Sequence, residues 1–282
     1  MEIVQNIHTT VIISVYKDLE ALELILDSLN RQTNLNFDIL VSEDCEYDEM
    51  NTFLKSYESA LEIQHIYQKD DGWQKNIALN NAIRSAKGEY LIFLDGDIVP
   101  YKHFIENHLK SLEKKRFLSG RRVEVGPFFS SLIRKRYLSY RWLERLYLLF
   151  FPFLLIDKGR HLEEGVYLGF ETFLSKKVNS KKQKKMMLVG CNFSCWKEDL
   201  VLINGFDEDY LSPSVGEDVD LAWRFNHFGI SYKSLRYVAN TFHLYHARNW
   251  GNALESNEKM MQEKIKKEEF RCKNGLMKEG SV

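Results

Sequence analysis

Short apolar runs alternate with helix-length amphipathic segments through the first 125 residues, and this alternation constrains the fold more than any other feature. Apolar, β-branched runs occupy residues 10–15, 37–41, 63–67 and 90–94. Helical patterns lie between them, at 22–29, 50–57 and 74–86. Strands separated by helices are typical of βαβ units, which assemble into a parallel sheet. The sequence therefore predicts an α/β fold.

Polar residues follow several of these strands directly. Parallel sheets bind ligands beyond the carboxyl ends of their strands. Ser14, Asp44 and the run Asp95, Gly96, Asp97 occupy those positions. We therefore expect the functional site at this edge of the sheet.

The overall composition excludes some classes of protein. The chain has 282 residues, of which 44% are hydrophobic, so it can bury a core and is not a disordered polymer. Its net charge of -1 does not favour nucleic-acid binding through bulk basicity. The four cysteines form no CxxC pair, which argues against a structural zinc site and indicates a reducing compartment. We recognise neither a signal peptide nor an apolar run long enough to span a bilayer, and we expect a cytoplasmic location.

Asp95 and Asp97 form a candidate metal site. Extended residues at i and i+2 point the same way, so both carboxylates can face one ligand. Gly96 allows a tight turn between them. Two hard oxygen ligands suit Mg²⁺ or Mn²⁺, whose remaining positions phosphate oxygens and water can fill. The alternative is a polar strand end with a common Asp-Gly turn.

Two further groups of polar residues lie later in the chain. Glu217 and Asp218 lie at the start of a predicted helix at 217–228, where acidic residues could act as general bases or only complement the helix dipole. His243 and His246 follow a predicted strand at 232–239 and could bind a metal, contact phosphate or simply pack. The residue types alone leave these alternatives open.

The order of these motifs resembles that of family 2 glycosyltransferases of the GT-A fold. The likeness is strongest to the bacterial polymerase-type domains that build chondroitin-like capsular polysaccharides. The matching segments are SVY at 14–16, SED at 42–44, DDGWQKNIALNNAI at 70–83, KGEYLIFLDGDIVP at 87–100, GCNFSCWKEDLVLINGFDEDY at 190–210, GEDVDLAWRF at 216–225 and HLYH at 243–246. The resemblance implies a single Rossmann-like, mostly parallel central sheet flanked by helices, with a helical insertion and a C-terminal helix.

The resemblance also implies how a nucleotide-sugar donor is bound. Ser14, Tyr16 and Asp44 would contact the uracil and ribose of a UDP-sugar. Gly190 and Trp196 would line the sugar pocket. Relatives carry Arg-Asn where this chain has Leu79-Asn80, and often an arginine at the position of Gln74. Lys75 is our candidate for the missing positive charge near the phosphates.

The same resemblance assigns the metal and the catalytic residues. Asp97 would ligate Mn²⁺ or Mg²⁺ directly, Asp95 would lie near the ribose and the metal, and His246, preferred over His243, would complete the ligand set. Asp218 would be the general base, and Glu217 would help to hold the acceptor. The reaction would be an in-line displacement that inverts the anomeric configuration.

The resemblance divides the chain into four parts. Residues 1–125 form the nucleotide-sugar-binding half, 126–187 a basic and aromatic helical insertion, 188–250 the acceptor-binding and catalytic half, and 251–282 a C-terminal helical tail. The insertion interleaves arginine and lysine with tryptophan, tyrosine and leucine. Residues 130–160 could lie on an anionic membrane surface, in which case the acceptor would be lipid-linked or a cell-envelope glycan at the inner face of the plasma membrane. Alternatively, the insertion is a helical subdomain that packs on the sheet.

Two other functions are weighed against an active transferase. A nucleotidyltransferase would carry a glycine-rich basic loop after the first strand, and residues 14–18 do not form one. A non-catalytic sugar-binding or scaffolding protein could share the fold. The presence of both Asp97 and Asp218 argues against it.

Overall fold

A computed structural model of the protein describes residues 7–180, 188–213, 215–247 and 253–278. The strands are β1 (Thr9–Val15), β2 (Asp38–Glu43), β3 (Ile63–Tyr67), β4 (Tyr90–Asp95), β5 (Ile98–Pro100), β6 (Arg116–Ser119), β7 (Val123–Glu124), β8 (Asn192–Trp196), β9 (Ser231–Ser234) and β10 (Thr241–His243).

The helices alternate with the strands in the first half of the chain and then dominate the middle. They are α1 (Leu19–Leu29), α2 (Asp48–Ser56), α3 (Lys75–Ser85), α4 (Phe104–Ser111), α5 (Pro127–Arg134), α6 (Tyr140–Arg145), α7 (Tyr147–Ile156), α8 (Phe173–Ser180), α9 (Lys197–Leu202), α10 (Val219–His227) and α11 (Ala253–Lys266), with a 3-10 helix at Leu162–Gly165.

Seven strands of the described chain form the central sheet, in the order β3-β2-β1-β4-β8-β6-β9. The four strands predicted in the first 125 residues pair in parallel, as expected. They are apolar because helices cover both faces of the sheet; β1 and β2 are buried along their whole length. β8 runs antiparallel to both of its neighbours, which makes the sheet mixed but mostly parallel.

A second sheet of three short strands, β5-β10-β7, lies beside the candidate site. β10 pairs antiparallel with β5 and parallel with β7. Its register sets His243 opposite Ile98, the residue after Asp97. The chain from β4 through β5 therefore brings the Asp95–Asp97 turn and the histidines to one place.

The structure corrects two predicted boundaries in the second half. The helix expected at 217–228 begins at Val219, because Asp218 is its N-cap and accepts a hydrogen bond from the Val219 N–H. The strand expected at 232–239 ends at Ser234, and Leu235 begins a turn in which Tyr237 has a φ of 65°. The apolar residues of that turn are buried, which explains why they resembled a strand.

The predicted insertion contains α5 to α8, and residues 181–187 at its end lie outside the described residues, as does part of the lysine-rich tract. α5 packs against the first half of the chain, where Arg134 pairs with Asp18 at 2.7 Å. Tyr147 and Leu154 on α7 are buried in the main core. The insertion is thus packed on the sheet on one side, and its outer side is described below.

The helical tail is anchored more firmly than a surface helix would be. Lys264 on α11 is buried and lies 2.6 Å from both Asp207 and Asp209. The Asn204 amide donates to the carbonyls of Cys272 and Met277. These contacts fix the loop that leads to α10. No helix among the described residues is long and apolar enough to cross a membrane.

Candidate active site

A cavity of about 900 Å³ lies beyond the carboxyl ends of β1, β2 and β4. Every residue that the sequence predicted for the site, except Trp196, lines this cavity. Those residues are Ser14, Tyr16, Asp44, Lys75, Asp95, Asp97, Gly190, Glu217, Asp218 and His246. The sheet register explains part of this, because Ser14 on β1 pairs directly with Asp95 on β4.

One wall of the cavity is formed by the ends of β1 and β2. Asp44 is buried, and its two carboxylate oxygens accept from the Gln68 side chain at 2.7 Å and the Gln74 backbone N–H at 2.9 Å. Burial raises the pKa of Asp44, although these hydrogen bonds act against the shift. Tyr16 is exposed at the rim, and its hydroxyl donates to Asp70. This wall offers one fixed polar group and one accessible aromatic ring to a ligand.

Lys75 lies between two carboxylates at the centre of the cavity. Its ammonium nitrogen is 2.8 Å from Asp95 and 2.5 Å from Glu217. Burial alone would lower the pKa of Lys75, but the two carboxylates outweigh burial and raise it. Lys75 is therefore a permanent cation in the site. In this structure it compensates the acidic residues.

Asp97 forms a cluster with both histidines. Its Oδ2 is 3.0 Å from His243 Nε2 and 3.3 Å from His246 Nε2. One ligand atom from each of the three residues lies within 4.8 Å of the other two. Burial would raise the pKa of Asp97, but the His243 hydrogen bond and the two nearby imidazoles lower it. Asp97 is therefore a carboxylate at neutral pH.

The cluster has the composition of a metal site. Asp97 Oδ1 is buried and has no hydrogen-bond partner among the described residues. A buried carboxylate oxygen without a partner is costly unless something binds it, and a cation would. One carboxylate and two imidazoles suit Mn²⁺ better than Mg²⁺, which prefers oxygen ligands. Asp95 lies outside this cluster, since its Oδ1 faces Lys75.

Position 96 requires glycine because its backbone passes close to the end of β1, and not because of an unusual backbone dihedral angle. A Cβ atom at this position would lie 2.8 Å from the Ser14 carbonyl oxygen and 3.0 Å from Val15 Cγ1. Such contacts are too short for any other residue type. Gly96 therefore lets the turn between the two aspartates pass against the end of β1.

Asp218 lines the same cavity and immediately precedes α10. Burial raises its pKa, and backbone hydrogen bonds from Val219 and Gly190 oppose the shift. Glu217 beside it has a pKa that is also raised, first by burial. A Cβ at Gly190 would be 3.5 Å from the Cβ of Asp218, which is an ordinary van der Waals distance. Asp218 is placed to accept a proton from a ligand in the cavity.

The expected position of Trp196 is wrong. The antiparallel direction of β8 pairs Trp196 with Tyr90, at the end of β4 opposite to Asp95. Its indole is buried and donates to the Glu113 carbonyl at 3.0 Å. The same direction carries Gly190 and Cys191, which precede β8, into the cavity.

Several residues of the site escaped the sequence analysis. Arg122, Cys191 and Trp73 line the cavity. Burial raises the pKa of Cys191 to about 12, so it remains a neutral thiol. Beneath the cavity, Asn80 on α3 exchanges two hydrogen bonds with the backbone of Phe206, of 2.8 and 2.9 Å. In the sequence, this link between α3 and Phe206 is indicated only by the i, i+4 spacing of Asn76 and Asn80 on one predicted helix. Both asparagines are buried in the structure.

Solved structures define the class of this architecture. The chain superposes on the crystal structure of GalNAc-T7 with UDP, GalNAc and Mn²⁺ with a TM-score of 0.62 at 11% identity, over 92% of this chain and 48% of that one. It superposes on S. aureus TarS with a TM-score of 0.59 at 14% identity, over 96% and 41%. A mannosyltransferase from Pyrobaculum calidifontis in complex with GDP-Man and Mn²⁺ gives a TM-score of 0.55 at 16% identity, over 86% of this chain and 58% of that one. The protein has the GT-A fold.

Sequence comparison then gives the family. The profile described as glycosyl transferase family 2 matches residues 10–193, and a profile described as the N-terminal domain of galactosyltransferase matches 174–247. The chain belongs to glycosyl transferase family 2, as the order of its motifs predicted.

Curated relatives are longer proteins. Chondroitin synthase of Pasteurella multocida is 30% identical over 124 residues, which is 44% of this chain and 12% of the relative. Hyaluronan synthase of the same species is 27% identical over 109 residues, 38% of this chain and 11% of the relative. The chain thus matches about a tenth of the length of each.

Proposed function

We propose that the chain is a metal-dependent, inverting glycosyltransferase that moves a sugar from a UDP-sugar to a hydroxyl of a glycan or lipid-linked acceptor. The observation that carries the proposal is the arrangement of one cavity. Asp97 with its two histidines forms one side, and Asp218, a carboxylate of raised pKa, faces the same space. A donor diphosphate and an acceptor hydroxyl need these two kinds of group.

The donor would bind along the wall formed by β1 and β2. Tyr16 offers a ring for the base to stack on, and Ser14 and Asp44 offer hydrogen bonds. The choice of UDP is supported by the UDP in the GalNAc-T7 structure. Arg122 and Lys75 line the cavity and would provide positive charge near the diphosphate.

Asp97, His243 and His246 would hold Mn²⁺ or Mg²⁺, and Mn²⁺ fits the two imidazoles better. The bound ion would offset negative charge on the departing diphosphate. Asp95 would contact the ribose and the outer shell of the ion. The chain's own residues thus bind and orient the leaving group.

Asp218 would act as the general base. It takes the proton from the acceptor hydroxyl, whose oxygen attacks the anomeric carbon while the bond from that carbon to the diphosphate oxygen breaks. UDP leaves from the opposite face, so the configuration inverts. Glu217 would orient the acceptor, and Lys75 fixes Glu217 in place.

The relatives' names also support a role in polysaccharide synthesis, which we propose to be that of the cell envelope or capsule. The proposed location is the cytoplasmic face of the membrane. In this proposal, residues 1–125 hold the donor, and 188–250 bring the acceptor to it. The shape of the cavity around Gly190 would select the sugar and the linkage.

Turnover of a panel of UDP-sugars with Mn²⁺ tests the proposal, with the Asp218→Asn and Asp97→Asn variants as the critical pair. We expect Asp218→Asn to lose about 10²–10⁴-fold in transfer while it keeps its affinity for UDP with Mn²⁺. Asp97→Asn should lose Mn²⁺-dependent UDP binding together with transfer. Turnover that persists in Asp218→Asn would contradict the assignment of the base. Binding of a UDP-sugar by the wild type, without turnover of any donor in the panel, would indicate a non-catalytic binding protein.

A further inference from the structure

Helix α7 carries a wide apolar surface on its outer side. Its sequence is YLLFFPFLLI and contains no charged residue. Leu148, Phe153 and Ile156 are exposed by 70%, 57% and 80%. Leu149 and Leu155 are exposed as well. Exposed apolar patches of this size mark interaction sites on soluble domains.

The exposed residues of α7 occupy one continuous side of the helix. At 3.6 residues per turn, positions 148, 149, 152, 153, 155 and 156 span an arc of about 160°. The more buried positions, 147, 150, 151 and 154, occupy the opposite arc and pack on the core. The outer half of α7 is therefore apolar throughout, and the inner half attaches it to the protein.

Cations and an aromatic side chain border this apolar surface. Arg141 and Arg145 lie on α6, one helix before α7, and Trp142 between them is exposed by 54%. Neither arginine has a carboxylate within 4.0 Å in the part of the chain that the structure describes. The guanidinium carbon of Arg145 lies 5.9 Å from the centroid of the Trp142 ring. Arginine and tryptophan beside an apolar surface are typical of the headgroup region of a bilayer.

A second cavity, of about 860 Å³, opens where α6 meets α7. Its charged lining consists of Arg31, Lys102, Arg141, Arg145 and Glu144, and His103 also lines it. Glu144 accepts a hydrogen bond from the Lys102 backbone N–H, and burial raises its pKa. Two or more cations beside one carboxylate favour an anionic group, such as a phosphate, in this cavity.

The apolar surface is connected to the candidate active site. Beyond α7, Arg160 exchanges backbone hydrogen bonds with Glu124 on β7. Glu124 is the strand partner of His243. Within α5, the Ser130 hydroxyl accepts a hydrogen bond from the backbone N–H of Tyr245, next to His246. Hydrogen bonds therefore join helix α5 and the chain that follows α7 to the segment that carries His243 and His246.

We propose that α7 inserts its apolar side into one leaflet of a bilayer that contains anionic lipid, with Arg141 and Arg145 on the lipid phosphates. The helix has 10 residues and is about 15 Å long, so it can lie in the interface and cannot span it. The charges beside the apolar side are the arginines Arg141 and Arg145, which complement an anionic surface. Membrane binding does not depend on the proposed transfer reaction.

Sedimentation with vesicles tests the proposal on the full chain, without donor or acceptor. Vesicles of phosphatidylcholine alone are compared with equal parts of phosphatidylcholine and phosphatidylglycerol, at low and high salt. We expect the wild type to bind the anionic vesicles and to be partly released by salt. The Leu149→Glu/Phe153→Glu double variant should bind at least about tenfold more weakly.

Two further variants make the result specific. Leu254→Glu adds a charge at an exposed leucine on α11 and should bind like the wild type. Arg141→Gln/Arg145→Gln should lose roughly twentyfold in affinity for anionic vesicles and little for neutral ones. Circular dichroism and UDP binding should be unchanged in all of them, so a folding defect or a failed transferase assignment is recognised separately.

Three outcomes would overturn the proposal. One is the absence of wild-type binding to anionic vesicles at low salt. Another is an equal loss in Leu254→Glu and in the α7 double variant. The third is a wild-type dimer in solution, split by the α7 double variant, without vesicle binding, which would assign the apolar side to a second copy of the chain.

Discussion

The ammonium nitrogen of Lys75 lies 2.5 Å from a carboxylate oxygen of Glu217, and this ion pair joins the start of α3 to the loop that precedes α10. Lys75 also binds Asp95 at the end of β4. One cation thus connects the half of the chain that would hold the donor with the half that would hold the acceptor. Without it, two partly buried carboxylates would repel each other.

Replacement of Lys75 by methionine tests this connection. We expect the free energy of unfolding to fall by about 2 kcal/mol, between the values typical of exposed and buried ion pairs. Thermal or urea unfolding measures the change. Lys17→Met is the matched control, because Lys17 pairs with Asp70 at 2.7 Å on an exposed surface and its loss should have a much smaller effect.

The double variant Lys75→Met/Glu217→Gln tests whether the lost stability comes from repulsion between Asp95 and Glu217. Removing the charge of Glu217 should restore part of the stability that Lys75→Met loses. If the two substitutions are additive instead, the carboxylates do not interact as the structure indicates.

The two histidines near Asp97 give a second prediction. His243→Ala and His246→Ala should each weaken Mn²⁺ binding at least about tenfold, since both imidazoles reach the same carboxylate. Loss of the electron paramagnetic resonance signal of free Mn²⁺ measures binding. His8→Ala is the control, because His8 pairs with Asp38 at the far end of the sheet. Unchanged affinity in His243→Ala would restore the original preference for His246 alone.

The sequence predicted the parallel half of the sheet well, for a physical reason. Strands that helices cover on both faces are continuously apolar, so β1 and β4 stand out against the helices around them. The short second sheet had no such signal. β5 and β10 have three residues each, and their pairing joins segments more than a hundred positions apart.

The sequence predicted correctly those site residues whose place follows from their position at the end of a parallel strand. It failed for the residue whose place depends on the direction of its strand. Asp44 and Asp95 follow from the rule that ligands bind at the carboxyl ends of parallel strands. Trp196 was placed wrongly because nothing in its neighbourhood reveals that β8 runs antiparallel. The choice between His243 and His246 could not be made from spacing, since it depends on how the chain leaves β10.

Gly96 gives a third prediction, with Gly190 as its matched control. Gly96→Ala would bring a Cβ to 2.8 Å from a carbonyl oxygen of β1, so the turn must shift. We expect a loss of about 1–3 kcal/mol in the free energy of unfolding, together with weaker Mn²⁺ binding as Asp97 moves. Gly190→Ala would place its Cβ at 3.5 Å from Asp218, an ordinary contact, and should unfold like the wild type. Equal stability of the two variants would contradict the close approach at Gly96.

The raised pKa of Asp218 gives the last prediction, on the pH dependence of transfer. A general base works only when it is deprotonated, so activity should fall as the pH is lowered through the pKa of Asp218. Because burial raises this pKa, the acidic limb of kcat/KM should lie above the ordinary aspartate value of about 3.9. Activity should rise with pH through the limb and then level off.

Metal loss at low pH could imitate this limb, since protons compete with a metal ion for its ligands. Rates are therefore measured at saturating Mn²⁺, with Mn²⁺ binding followed at each pH. Glu217→Gln should lower the plateau and keep the limb, whereas the residual transfer of Asp218→Asn should lose it. A limb that disappears in Glu217→Gln and stays in Asp218→Asn would exchange the roles of the two carboxylates, because their pKa values are raised by the same burial.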